Sequence, residues 1–256
     1  LGQVYRDAFT AHFPEWIEVP KELVGGLVGG QLVSSLLAVS CVTVAFCANM
    51  LMVSDKASGA RNDLTVAPVK PSILAMGYYL AALRSTLLIG LLAFAGGSLY
   101  LVGAGWYLSL ADVLLLLLDV LLLVMFGTAL SSLINFFLKT QGQISAVGTI
   151  VSSGYGFICG AYMPISSFGE GLQRVISFLP GTYGTALVRN HAMQGALAEM
   201  ERQGVPADAI RSFRDALDCN LYFFEEAVSL PAMYAILGGT SLLLIAAYVA
   251  LNAARR

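Results

Sequence analysis

Two charged residues, Arg84 and Asp119, fall inside long apolar runs, where ions are costly and tend to mark function. A carboxylate at such a depth can relay a proton or touch a polar part of a cargo. The plainer reading has Asp119 facing the interior of a helix bundle, protonated or bonded to hydroxyls, while Arg84 extends to headgroups. Helix rise alone separates the two backbones by about 10 Å in depth, so they pair directly only if Arg84 reaches outward.

Charge is concentrated a second time in residues 54–71, where a polar segment with Asp55, Lys56, Arg61, Asn62, Asp63 and Lys70 interrupts the apolar pattern. The chain re-enters apolar sequence through Pro68 and Pro71. A short, structured, charged element between two spans is something a soluble partner can grip. No other motif carries chemistry. The sequence contains no G-x-x-x-x-G-K-[ST], no H-E-x-x-H and no G-x-S-x-G, which removes P-loop nucleotide binding, zinc hydrolysis and a serine elbow. Its two histidines, His12 and His191, both read as external. Gly29-Gly30-Gln31 lacks the serine of an ATPase signature and sits in an apolar run, so GGLVGG at 25–30 reads as close helix packing, as do Gly156 and Gly160. Cys41, Cys47, Cys159 and Cys219 show neither metal-ligand spacing nor a disulfide framework.

The elements that must position these residues are apolar helices. Of 256 residues 57% are hydrophobic and 12% charged, and mean hydropathy is +0.77, which a soluble core cannot absorb. A net charge of −2 leaves no basic face for nucleic acid. Five runs are long enough to span a bilayer as helices: about 24–53, 72–101, 108–138, 142–163 and 232–253, the fourth rich in Gly and Ser. Basic residues place 54–71 (Lys56, Arg61, Lys70), 139–141 (Lys139) and the tail (Arg255, Arg256) in the cytoplasm. The 102–107 turn and the long 164–231 segment are then external, despite Arg174 and Arg189. Residues 1–23 would also be external, yet the chain opens at Leu1 with no export signal. The expectation is a fragment that begins after a first span. Pro164, a short apolar segment and Pro180-Gly181 predict a hairpin that dips in and returns over 164–181, followed by an external segment, 182–230, with an amphipathic helix.

Residues 52–79 (MVSDKASGARNDLTVAPVKPSILAMGYY) and 156–189 (GFICGAYMPISSFGEGLQRVISFLPGTYGTALVR), in this order and spacing, resemble the permease subunit of type-2 ABC exporters. That superfamily includes drug, polyketide, lipid-linked glycan and toxin efflux permeases. The resemblance implies an all-α integral membrane bundle, six spans in the family against five here, in a single permease domain over 1–253. It implies a second permease subunit, a homodimer in preference to a heterodimer, on two copies of a cytoplasmic ABC ATPase in the bacterial plasma membrane. ATP and Mg would be held by that ATPase, with no cofactor in this chain. On this resemblance the family's elbow and first span would precede the expected fragment, and the 182–230 segment exceeds that of compact members.

Carried onto this sequence, the coupling loop falls on Asp55, Lys56, Ala57, Gly59, Ala60, Arg61, Asn62 and Asp63, with the charges pairing across to the ATPase. The external gate falls on Tyr162, Pro164, Phe168, Leu172, Leu179 and Pro180. A path at the permease interface would use Ser34, Ser35, Ser40, Thr43 and Asn49 of the first run, and Ser145, Thr149, Ser152, Ser153 and Tyr155 of the fourth. The implied function is ATP-driven export of a hydrophobic or amphiphilic cargo (drug, lipid or lipopeptide) by alternating access. The alternative is an ion-coupled secondary transporter using Asp119, against which the lack of inverted repeats and of further intramembrane carboxylates counts. A membrane enzyme or assembly factor lacks a catalytic constellation.

Overall fold

Proline, glycine and two capping boxes punctuate the chain into helices. The computed structural model describes residues 20–66, 69–224 and 226–254. The expectation for residues 1–23 falls almost wholly outside them. Helix α1 (Lys21–Ser58) ends at Gly59, whose φ of 84° is a left-handed stop, and α2 (Ala60–Val66) follows at once. Helix α3 (Pro71–Ala104) opens on a proline, which has no N–H to leave unpaired in a first turn. Helices α4 (Leu110–Phe137) and α5 (Gln141–Ile158) each start from a reciprocal cap, Ser109 with Asp112 and Thr140 with Gln143. A 3-10 turn (Ile165–Ser167) and short α6 (Glu170–Ser177) lead to α7 (Pro180–Arg202), again opened by proline. Amphipathic α8 (Ala207–Ala216), a two-residue hairpin of β1 (Tyr222–Phe223) and β2 (Glu226–Ala227), and α9 (Leu230–Ala254) complete the described chain.

Helix α1 is the hub, packed against α3, α4, α5 and α7, and α9 closes the bundle against α4, α7 and α3. Among the described residues four helices, α1, α3, α4 and α9, are long and apolar enough to cross a membrane. They correspond to the expected runs 24–53, 72–101, 108–138 and 232–253. The fifth, 142–163, forms α5, but this helix stops at Ile158 after 18 residues and does not reach the same apolarity, because Gln, Ser and Gly replace aliphatics along it.

The 182–230 segment differs from expectation in one respect. Its first part is not a surface element: α7 is buried from Gly181 through Met193. The helix begins inside the bundle, where Tyr155 donates to Gly181 O at 3.4 Å, and climbs to the end carrying the 105–109 turn, where Gly195 abuts Tyr107 O. Its 23 residues rise about 34 Å, close to the thickness of the hydrocarbon core. A composition that alternates small, polar and apolar residues gives such a helix no hydropathy signal. The buried element therefore extends beyond the 164–181 hairpin expected from the sequence. The amphipathic helix expected further on is α8, which tucks Phe213 inward.

Close approach of α1 and α7 needs glycine at position 30, where a Cβ would stand 2.8 Å from Ala192 O, a backbone atom that cannot swing aside. Gly30→Val should therefore cost about 1–3 kcal/mol through overpacking and lower the thermal midpoint of the detergent-solubilised chain. Gly77→Ala, where a methyl meets open space, should leave that midpoint unchanged or raise it slightly.

Candidate functional site

The polar segment formed by the end of α1 and by α2 is fastened to almost every long helix. Asp55 Oδ2 accepts from Tyr78 OH of α3 at 2.7 Å. Lys56 Nζ donates to the carbonyls of Asn135 and Phe136 at 2.9 and 3.0 Å and lies 5.6 Å from the Phe136 ring centre. This is the last turn of α4, where helix carbonyls lack partners and the helix dipole favours a cation. Arg61 donates to Asn252 Oδ1 of α9 at 3.2 Å, and Gln141 Nε2 of α5 donates to Ser54 Oγ at 3.1 Å.

These bonds revise one expectation. Asp55, Lys56 and Arg61 do not project as free charges for a partner, because this chain's own helices offer nearer partners. What faces outward is Ala57, Ala60, Asn62, Asp63, Leu64 and Val66, with Leu64 46% and Val66 87% exposed. Sequence reasoning singled out the charges and missed the two aliphatics, although apolar residues within LTVAPV, in an otherwise polar loop, were the available signal.

At the other end, the expected gate residues divide between two surfaces. Tyr162 stacks edge-on against Phe157 with centroids 5.2 Å apart, and joins Gln31, Ser35 and Ser40 of α1 around a groove of about 540 Å³. Leu179 and Pro180 line an apolar cleft of about 340 Å³ with Tyr155, Cys159 and residues of α4 and α9. Pro164 starts the 3-10 turn, Phe168 ends it, and Leu172 lies exposed on α6.

The expected path residues also separate. Ser35, Ser40 and Thr43 form a helical stripe on α1 with Gln31, and the buried Gln31 Oε1 and Thr43 Oγ1 have no partner among the described residues. Gln31, met in the sequence only within Gly29-Gly30-Gln31, was not among the expected path residues. Ser34 is fully buried and donates to Gln31 O. Asn49 does not line a path: its amide donates to Thr128 O at 3.3 Å and Ser131 Oγ at 2.5 Å, and its Oδ1 accepts from Ser132, which clamps α1 to α4. Tyr155 turns inward to α7. Ser145, Thr149 and Ser152 donate to their own helix backbone. Thr149 and Ser153 are exposed, on a helix that has α1 as its main neighbour.

Two buried polar clusters were not legible. Arg189, 1% exposed, donates to Gly160 O at 2.7 Å and Leu217 O at 2.8 Å, and pairs with Asp218 at 3.4 Å. Asp218, at a φ of 54°, also accepts from Ile165 N at 2.8 Å. Burial pushes the Asp218 carboxyl up to about 6, against the opposing pull of Arg189 and the backbone donors. A buried Arg189 is no loop charge at all, which removes its conflict with the orientation. Asp119 is buried, as expected, but its partners are Tyr234 OH at 2.5 Å and His191 Nδ1 at 2.6 Å. His191 is thus interior rather than external. Arg84 is exposed on α3, away from Asp119.

The comparisons agree with this architecture. A family model described as ABC-2 type transporter matches residues 15–192, more than half of the chain. The chain belongs to that family. It is the membrane permease component of an ABC transporter, a multi-pass membrane protein and a transport component rather than a catalyst. A comparison with curated proteins returned no match.

The raised Asp218 carboxyl fixes the sign of one pH effect on the permease. Between 3.8 and about 6 the folded state holds a proton that the unfolded state releases, so stability falls as pH rises through that window. Thermal midpoints of wild type should therefore decline from pH 4 to 6 relative to Asp218→Asn, in which this part of the slope is absent.

Proposed function

We propose that the permease is the transmembrane half of an ATP-driven exporter of hydrophobic or amphiphilic cargo. Its α2 is the element through which a separate ATPase imposes motion. The observation that carries this reading is the division of labour at the end of α1. Polar heads there bind the chain's own α3, α4, α5 and α9, while Leu64 and Val66 stand exposed. Such a knob can seat in a groove of a soluble subunit by apolar contact, and its anchors pass a displacement to the spans as one body. The basic loop residues support a cytoplasmic position for this end, in what would be a bacterial plasma membrane. Two ATPase subunits, holding ATP and Mg, would drive a pair of permeases, identical in the simplest arrangement.

Cargo would pass where two permeases face each other, along the Gln31, Ser35, Ser40 and Thr43 stripe of α1 and the exposed side of α5, with Tyr162 at its outer end. An unpartnered amide beside apolar walls suits drugs, lipids or lipopeptides. Closure of the ATPases would move the end made by 159–181 and α7, giving alternating access. Family membership favours this account over an ion-coupled transporter.

Docking and transmission separate by mutation. Leu64→Asp with Val66→Asp should abolish co-purification of a P-loop ATPase from native membranes, leaving the permease folded. Asp55→Asn with Arg61→Ala should retain the ATPase but lower transport about tenfold per ATP hydrolysed, since about 1.4 kcal/mol of lost coupling is one decade. Retained ATPase in the first variant, or none in wild type, sinks the proposal.

A further inference from the structure

Transport as just described makes no use of the ionisable cluster where α4, α7 and α9 meet. The Asp119 side chain has no accessible surface and that of His191 has 7%. Asp119 Oδ2 lies 2.6 Å from His191 Nδ1, Oδ1 accepts from Tyr234 OH at 2.5 Å, and the His191 and Tyr234 rings stack with centroids 6.4 Å apart. A carboxylate is acceptor-only, so Nδ1 supplies the hydrogen and the exchangeable proton resides on Nε2. With Nε2 protonated the site is an imidazolium against a carboxylate, neutral in sum. With Nε2 bare it carries a net negative charge.

Nothing else described here compensates that charge. Helix α9 holds no charged residue, and its other tyrosine, Tyr248, bonds Met52 Sδ. Helix α1 holds none between Glu22 and Asp55, its titratable groups there being Cys41 and Cys47. On α4, Asp112 closes its own cap; on α3, Arg84 is exposed. On α7, Arg189 binds Asp218 and two carbonyls, and Tyr183 donates to Ser177 O. Arg214 of α8 is engaged by Asn190 and Gln194. An uncompensated buried anion is expensive, and more so in hydrocarbon.

We propose that Asp119, His191 and Tyr234 form a proton-binding site whose occupancy latches the re-entrant helix α7 to α4 and α9. The proton enters at the partly accessible imidazole, since Asp119 is sealed. Raising the pH removes it, replaces an ion pair by a bond from a neutral imidazole to the carboxylate, and leaves a net charge that α7 relieves by loosening. By reciprocity, anything that pulls α7 away releases the proton. The outward end of the permease would then open more readily on its alkaline side. The site is read on this chain alone and stands or falls independently of the motor assignment.

The test uses the whole chain in lipid nanodiscs, labelled with 15N-histidine. Only His12 and His191 contribute signals, which His12→Gln assigns. Over about pH 5–9, Nε2 of His191 should lose its proton while Nδ1 keeps its own. Amide exchange over residues 180–195, corrected for its intrinsic pH dependence, should rise about tenfold with the same midpoint. Asp119→Asn and His191→Gln should flatten this rise, and Tyr234→Phe should shift it without removing it. A ring that does not titrate, titration without a change in α7 exchange, or an unaltered transition in His191→Gln each overturns the proposal. The wild-type signals alone decide if the variants do not fold.

Discussion

Hydrocarbon offers no solvent to a buried polar group, and the layout of this permease follows from that constraint. Asn49, Thr128, Ser131 and Ser132 satisfy one another across α1 and α4. Asp119 draws donors from two further helices, and Arg189 draws acceptors from two turns and a carboxylate. Each cluster joins elements far apart in the chain, so satisfying the group and fastening the helices are one event. Among the described residues the buried atoms without a partner include Gln31 Oε1 and Thr43 Oγ1, on the α1 stripe proposed to meet cargo, and others on Tyr79, Asn135 and Arg189 of further helices.

The same logic separates the two ends of the bundle. At the end holding residues 54–66, long charged side chains turn back to cap α4 and to bond α3 and α9, which makes the segment stiff. A stiff element with an apolar tip transmits displacement better than a solvated loop whose charges are individually screened. At the opposite end, α7 enters from the bundle interior, where two polar clusters hold it in addition to the apolar packing of Ala186, Leu187, Met193 and Leu197. Bonds of this kind have discrete made and broken states, which suits the movement proposed for this end.

Much of the fold was legible before any coordinates. Uninterrupted aliphatic runs located α1, α3, α4 and α9, because a helix exposed to lipid must be apolar nearly all round. Gly59, Pro71 and the Ser109 cap mark limits of α1, α3 and α4 by local chemistry. Helix α7 escaped because it is shielded by protein and can carry Arg189, Asn190 and His191. Hydropathy measures contact with lipid, not depth, so a re-entrant helix wrapped in other helices reads as a loop. Lys56 and Arg61 were found but their use was misassigned, since a charge pattern does not say whether the partner lies in this chain or another.

Sequence by itself determined class, family and the order of the spans, for these rest on composition and near-neighbour patterns. Tertiary structure alone decided that Asp119 meets His191 and Tyr234, residues 72 and 115 positions away. It alone showed that Asn49 is a clamp and that Leu64 and Val66 face outward. The physical reason is that a side chain's partner is chosen by three-dimensional proximity, and in a helical bundle proximity is set by how helices rotate and cross, which no single stretch of residues encodes.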